Sequence, residues 1–158
     1  MPRLGLHGLA FTPLWNPAEA DHLLPPITAH GVTVIETPLL DPKNYDSVGT
    51  RRAAERNGVE IVCSLGLPAE IDILRNPGDA VDYLGFALQM ARDAGAAALS
   101  GVTYGTIGKT SGAPVTEAES DAICRLVDRV GQKARDLNMR LGLAPCNRYE
   151  THLLHTAR

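Results

Sequence analysis

Cysteine and basic charge are both scarce in this 158-residue sequence. Its three cysteines, Cys63, Cys124 and Cys146, are an odd number without paired spacing, so the sequence predicts neither a disulfide framework nor a zinc site. We expect Cys124 to be a small buried hydrophobic residue. A formal net charge of −3 offers no basic face, so nucleic acid is not an expected partner.

Long apolar runs are also missing. No stretch approaches about 18 apolar residues, and the start, MPRLGLHGLAF, is too short and interrupted for the apolar part of a secretory signal. The sequence therefore predicts a cytoplasmic protein that does not bind a membrane. The composition, with 44% hydrophobic and 21% charged residues, is typical of globular proteins. The length fits a single domain, residues 1–158. Small molecules or other protein chains are the expected partners.

Short apolar segments alternate with helical patterns along the whole chain. Five segments are mostly apolar and several are rich in Val and Ile, which predicts strands buried on both faces. They are LGLHGLAF (4–11), VTVIETPLL (32–40), VEIVCSLGL (59–67), AAALSGVTYG (96–105) and RLGLAPC (140–146). Four helices are predicted between them, and a further helix is expected to begin within 151–158.

Residues typical of helix ends frame these four helical segments. The first helix should begin at Asn16 and Pro17, and Pro26 should kink or delay it. Thr116 and Glu119 have the spacing of a capping box at the start of the fourth. The other end signals are Asp46 and Gly58 for the second helix, and Asn76, Pro77, Gly78 and Gly95 for the third.

The alternation predicts an α/β fold with a parallel sheet, because parallel neighbours need a long crossover and helices usually supply it. A doubly wound sheet and a (βα) barrel both remain open. The turn after the first strand, TPLWNP (12–17), lacks the glycines of a nucleotide-binding turn. GTIGKTSG (105–112) contains Gly-Lys-Thr without the phosphate-loop spacing, so we expect a mobile loop, with phosphate contact a minority alternative.

Polar and aromatic residues follow each of the five predicted strands. In a parallel α/β protein, ligands bind at these C-terminal strand ends. Each residue also has a purely structural interpretation: His7 as a hydrogen-bonded core histidine, Trp15 as a cap over the core, Glu36 as a partner of Arg148. Their recurrence at five successive strand ends favours a functional site. The residues are His7, Phe11, Trp15, Glu36, Cys63, Ser64, Ser100, Tyr104 and Asn147 to Glu150.

Five segments resemble the ketose 3-epimerases, the D-tagatose/D-psicose 3-epimerase group of the xylose-isomerase-like TIM barrels. They occur in collinear order, and the Asn-Arg-aromatic-Glu cluster in the last is the most specific. The segments are HGLAFTPLW (7–15), VIETPLLDP (34–42), CSLGLP (63–68), SGVTYGTIGK (100–109) and NRYETHLLHTA (147–157). The resemblance implies a partial TIM barrel of four βα units plus the fifth strand, since a (βα)8 barrel needs about 250 residues.

The resemblance also implies a divalent metal, Mn, Mg or Co, held by a glutamate, an aspartate, a histidine and a second glutamate on strands five to eight. The metal would stabilise an enediolate while the two glutamates move the C3 proton. Ala144 stands at the position of the fifth-strand glutamate, so we expect neither a metal site nor a catalytic residue here. Glu150 and Trp15 are implied as substrate contacts, with His7 and Cys63 near the sugar pocket.

Two classes of function stay open. The chain is part of a sugar epimerase, active only in a full-length parent or an assembly that completes the barrel, or it is a non-catalytic remnant that binds a ketose or serves as an interaction module. The isolated chain is expected to be inactive in both cases. The sequence does not identify the sugar or its phosphorylation.

A homo-oligomer is also expected. Five parallel strands leave two edges and an apolar inner face uncovered, so the first, fourth and fifth strands, with Leu143, should form an interface. The alternative is that THLLHTAR (151–158) folds back over the core.

Overall fold

Five parallel strands form one sheet in the computed structural model, which describes residues 3–156. Their order across the sheet is their order along the chain, as for consecutive strands of a barrel. The predicted α/β fold with a parallel sheet is confirmed. The strands are β1 (Leu4–His7), β2 (Val32–Pro38), β3 (Glu60–Gly66), β4 (Ala98–Val102) and β5 (Arg140–Leu141).

Four helices make the crossovers between successive strands, and each helix contacts the next. They are α1 (Ala20–Thr28), α2 (Ser47–Asn57), α3 (Pro77–Asp93) and α4 (Glu117–Asp136), and a short 3-10 turn (Gly8–Ala10) follows β1. Four βα units are half of an eight-stranded barrel, and β5 is the first strand of the next half. Within residues 3–156, none of these helices combines the length and hydrophobicity needed to span a bilayer.

Both predicted ends of α2 and the predicted start of α4 are confirmed. Thr116 and Glu119 cap α4 reciprocally: the Thr116 hydroxyl accepts the N–H of Glu119, whose carboxylate accepts the N–H of Thr116. At the start of α2, the Asp46 carboxylate accepts the N–H of Gly49 at 2.8 Å. Gly58 ends α2 in the left-handed region, with φ 65°, where glycine has no steric penalty.

Helix α1 begins later than predicted. The Asn16 side chain accepts the N–H of Ala18 at 3.0 Å and holds a turn over residues 17–19, so the helix starts at Ala20. Pro25 and Pro26 both lie inside α1. The later start therefore comes from the Asn16 turn and not from Pro26.

The core lies between the helices and one face of the sheet. Ile35, Cys63 and Leu99, on the three central strands, are fully buried there together with Leu84 and Leu88 of α3. Residues that alternate with them on the strands point to the opposite, inner face, where Val34, Val62 and Ala98 are only half-buried. The inner face is the one that a complete barrel would enclose.

Strand β5 is shorter than the predicted 140–146. Only Arg140 and Leu141 pair as a regular strand. Two further N–H groups, those of Gly142 and Ala144, nevertheless donate to carbonyl groups of β4 at 2.8 and 2.9 Å. The backbone thus stays beside β4 as far as Ala144, and Pro145, which has no N–H, follows.

The segment after β5 turns back over the sheet and is not the predicted helix in its described part, 151–156. Leu153 and Leu154 pack against the core, and the N–H of Cys146 donates to the carbonyl oxygen of Leu154 at 3.0 Å. Thr151 is fully buried. The alternative that this segment covers part of the core is therefore the one that the described residues adopt.

The expectation for Cys124 is wrong, because this residue is exposed on α4. The preceding residue, Ile123, takes the buried position on that turn, and consecutive residues of a helix point about 100° apart. Of the three cysteines, Cys63 is the buried one.

Gly101 in β4 offers a direct test of this packing. Its φ of +112° favours glycine, and a Cβ there would overlap the carbonyl oxygen of Leu65 on β3. We expect Gly101→Ala to lower the free energy of unfolding by at least about 2 kcal/mol, through backbone strain and overpacking. Gly78→Ala is the control, because a Cβ at Gly78 meets nothing within 4 Å. Equal stabilities of the two variants in urea denaturation would contradict this packing of β3 against β4.

Candidate functional site

Three side chains from three neighbouring strands meet on the inner face, at the C-terminal ends of β1, β2 and β3. His7 is the register partner of Glu36, and Ser64 follows on β3. The Nε2 atom of His7 lies 3.2 Å from the Ser64 Oγ atom and 3.8 Å from the Glu36 Oε1 atom. The side chains of His7 and Glu36 are 38% and 37% exposed. The predicted gathering of polar groups at the strand ends is thus found for these three residues.

The backbone fixes the hydrogen-bonding role of His7. Its Nδ1 atom accepts the N–H of Leu9 at 3.1 Å, at the start of the 3-10 turn. The neutral ring therefore carries its proton on Nε2 and donates from there. Ser64 and Glu36 face this same nitrogen, whereas a serine hydrolase needs them on opposite nitrogens. The cluster is suited to binding polar groups and not to activating Ser64.

Trp15 and Cys63, both predicted at the sugar pocket, lie in the core. The indole N–H of Trp15 donates to the Thr50 hydroxyl at 2.9 Å, and the side chain is 7% exposed. The Cys63 thiol lies 3.4 Å from the Thr37 hydroxyl, and burial raises its pKa. Their contact with a substrate remains a prediction. Trp15 fits the structural alternative of a core side chain.

Glu150 is held by the turn that follows β5. Its carboxylate accepts a hydrogen bond from the Asn147 side-chain Nδ2 atom at 2.7 Å, and the Asn147 side-chain Oδ1 atom accepts the N–H of Tyr149 at 2.9 Å. The two side chains between them, Arg148 and Tyr149, are exposed. The partner of Glu36 is consequently His7 and not Arg148 as in the structural alternative.

Ala144 occupies the place where the resemblance implies a metal-binding glutamate. Its methyl group has no atom that can bind a cation, and its carbonyl oxygen lies 3.0 Å from the hydroxyl of the buried Tyr104. Residues 3–156 contain no group of three His, Cys, Asp or Glu side chains placed to hold a metal ion. The residues that the structure describes therefore do not fit the implied metal, and we assign them no metal-dependent step.

A second polar cluster joins the terminal segment to α4, and the sequence did not indicate it. His152 Nε2 lies 2.9 Å from Glu119 Oε1, and His152 Nδ1 accepts the N–H of Ser111 at 3.2 Å. The Thr116 N–H, together with the His152 ring and the Thr116 hydroxyl, lowers the pKa of Glu119 to about 2. Glu119 was expected only as a helix cap, and no local pattern links it to a residue 33 positions away.

Backbone contacts with the segment after β5 hold the 105–112 loop in place, although this loop was predicted to be mobile. The N–H of Gly108 donates to the Glu150 carbonyl oxygen at 2.7 Å, and Lys109 pairs with Thr151 as a parallel bridge. The Lys109 ammonium group forms an ion pair with Asp72 at 3.2 Å. This loop and the terminal segment border a cavity of about 190 Å³. The Lys109 ammonium group lines this cavity but is already paired with Asp72, which does not favour phosphate contact.

No protein-family model matches the chain, but comparisons with individual proteins find similar sequences and structures. A ketose 3-epimerase of Arthrobacter globiformis is 29% identical over 160 residues, which cover 99% of this chain and 55% of the relative. An L-ribulose 3-epimerase of Mesorhizobium japonicum is 27% identical over 161 residues, 99% of this chain and 54% of the relative. The chain resembles the ketose 3-epimerases.

A solved structure supports the same resemblance. The D-allulose 3-epimerase from Methylomonas sp., crystallised in complex with D-allulose, superposes with a TM-score of 0.86 at 27% identity. The superposition covers 99% of this chain and 56% of that one. The chain thus spans about half the length of the relatives it matches, as a partial barrel does.

The depressed pKa of Glu119 leads to a prediction about acid stability. An unfolded glutamate titrates near 4.5 and the folded Glu119 near 2, so the folded state binds fewer protons between these values. The stabilisation of the folded state by ionised Glu119 is complete above pH 4.5 and is lost as the pH falls towards 2. Glu119→Gln should abolish this part of the acid dependence in urea denaturation, whereas Glu117→Gln, on the exposed face of the same turn, should retain it. Identical pH profiles for both variants would show that Glu119 is not the titrating group.

Proposed function

We propose that this chain is a ketose-binding half of a 3-epimerase-type barrel and that it is catalytically inactive on its own. The observation that supports this most is the cluster of His7, Glu36 and Ser64. It lies at the C-terminal strand ends of a sheet that superposes on an epimerase solved with D-allulose. In this proposal, residues 1–158 form a single domain.

The three side chains of the cluster complement sugar hydroxyl groups. The His7 Nε2–H donates, the Glu36 carboxylate accepts, and the Ser64 hydroxyl can do both. His7 and Glu36 are partly exposed on the inner face, whereas Ser64 is buried beside His7. A hydroxyl group of a ketose can therefore replace the loose 3.8 Å contact between His7 and Glu36. A site that pairs each hydroxyl with a fixed partner discriminates well against compounds that lack it. Glu150, held by Asn147, is the fourth polar group of the proposed site.

Epimerisation at C3 needs a group that removes the C3 proton and a group that returns it on the other face. In the implied mechanism a glutamate on the fifth strand supplies one of these groups, and Ala144 cannot exchange a proton. The chain therefore keeps contacts for the sugar while it lacks part of the proton-transfer machinery. The alternative function, an interaction module derived from this family, predicts no specific affinity for a ketose. A cytoplasmic location and self-association also remain predictions.

Calorimetric titration with D-allulose tests the proposal. We expect specific binding without turnover to fructose, and His7→Ala should weaken binding roughly three- to tenfold, since one hydrogen bond is worth about 0.5–1.5 kcal/mol. His30→Ala is the control, because His30 is exposed after α1, at the opposite end of the sheet.

Three results would contradict the proposal. The absence of D-allulose binding would favour the interaction module, and equal losses in the two histidine variants would place the sugar elsewhere. Epimerisation dependent on added Mn²⁺ that survives repurification would show that the chain is not inactive alone.

A further inference from the structure

The 3-10 turn that holds His7 is packed between strand β2 and the ring of Trp15. Its Leu9 N–H is the group that the His7 Nδ1 atom accepts. A Cβ atom at Gly8 would lie 3.3 Å from the carbonyl oxygen of Glu36 and 3.8 Å from the Cε3 atom of Trp15. Gly8 is buried, so the turn has little room to move away from either neighbour.

Trp15 is itself held by the core. Its ring is buried, and its indole N–H donates to the hydroxyl of Thr50, a fully buried residue of α2, at 2.9 Å. The backbone between the turn and the ring is also bonded to the turn, because the N–H groups of Phe11 and Thr12 both donate to the Gly8 carbonyl oxygen, at 3.1 and 3.0 Å. A continuous series of contacts thus joins α2 to the turn through Trp15.

The turn decides which hydrogen bond His7 can offer. While Nδ1 accepts the Leu9 N–H, the neutral ring keeps its proton on Nε2, the nitrogen that faces Ser64 and Glu36. If the turn moved, Nδ1 would lose its partner, and the ring could rotate or carry its proton on either nitrogen. An oxygen atom of a bound sugar would then no longer meet a fixed donor, and binding would become weaker.

We propose that Trp15, held by Thr50, is a positioning residue for His7. It keeps the turn against β2, so that His7 presents its Nε2–H to a hydroxyl group of the ketose. This inference rests on the proposed function. It gives Trp15 a role that needs no contact between its ring and the sugar, in contrast to the substrate contact that the resemblance implies.

Removal of the Thr50 hydroxyl tests this positioning. Thr50→Val keeps the shape of the side chain but leaves the indole N–H buried without an acceptor, so Trp15 and the turn should shift. In calorimetric titration we expect Thr50→Val to weaken D-allulose binding about threefold, no more than His7→Ala does, because the His7 ring is still present. Thr50→Ser restores the acceptor and should recover most of the lost affinity.

Ser47→Ala is the matched control for the loss of a buried hydrogen bond from α2. The Ser47 hydroxyl is buried and donates to the carbonyl oxygen of Met90 at 2.9 Å, away from Trp15. Its removal should lower stability without weakening D-allulose binding. Trp15→Phe is a second variant, which keeps a ring beside Gly8 but lacks the N–H, and it should weaken binding as Thr50→Val does. Circular dichroism melting shows whether each variant folds.

A double-variant cycle separates positioning from a general loosening of the core. If Thr50 acts through His7, Thr50→Val should change the affinity of the His7→Ala variant by less than about 1.5-fold. A substitution that only loosens the core would weaken binding by the same factor in both backgrounds.

The His7 ring also gives a readout that needs no sugar. In mildly alkaline solution, where a histidine ring is neutral, nitrogen-15 NMR of the unmodified chain should show a protonated Nε2 and an unprotonated Nδ1. In Thr50→Val the two nitrogen signals should move towards each other, as the two forms of the ring mix, and the Leu9 amide should exchange faster with solvent. Ser47→Ala should leave these signals unchanged.

Three results would overturn the positioning of His7 by Trp15. These are unchanged His7 nitrogen signals in Thr50→Val, equal losses of affinity for Thr50→Val with and without the His7 ring, and equal losses for Thr50→Val and Ser47→Ala. An unmodified chain that binds no D-allulose would contradict the proposed function instead, and the His7 nitrogen signals would then decide the positioning by themselves.

Discussion

A parallel sheet must have both faces covered, and this constraint governs the molecule. Helices α1 to α4 cover one face and create a core around Ile35, Cys63 and Leu99. The other face, which a complete barrel would enclose, stays open and carries His7, Glu36 and Ser64 at its C-terminal end. The proposed sugar site thus lies on the face of the sheet that the four helices do not cover.

The segment after β5 partly satisfies this constraint, because it covers part of the core. Leu153 and Leu154 add apolar contacts to the core, and the Tyr104 hydroxyl lies 3.0 and 3.2 Å from the carbonyl oxygens of Ala144 and Leu154. Burial raises the pKa of Tyr104, so the hydroxyl stays protonated and available as a donor. The segment also joins α4 through His152 and Glu119. These contacts fix the turn that presents Glu150.

Local patterns predicted most of the fold, because they are properties of short segments. The capping box of Thr116 and Glu119 and the end of α2 at Gly58 needed no tertiary information. The delayed start of α1 was missed, since the Asn16 turn competes with the helix there. Cys124 was wrongly predicted to be buried, because the prediction used its residue type and not its position on the amphipathic helix α4.

The site was harder to predict than the fold. Residue order along the strands indicated that His7, Glu36 and Ser64 share one end of the sheet, and the register confirmed it. Sequence alone did not tell which neighbour on β3 reaches the inner face, so Cys63 was preferred although Ser64 faces His7. Strand phase decides this, and a shift of one residue exchanges the two faces. The bond between His152 and Glu119 was not predictable, because it joins segments that only the folded chain brings together.

We propose that the inner, C-terminal end of the sheet binds a ketose. Two-dimensional NMR of the isotopically labelled chain, titrated with D-allulose, tests this most directly. We expect the largest chemical-shift changes at His7, Glu36, Ser64 and Glu150, with little change in α2 or around Leu143. Changes centred on the helices, or on the N-terminal ends of the strands, would contradict this site.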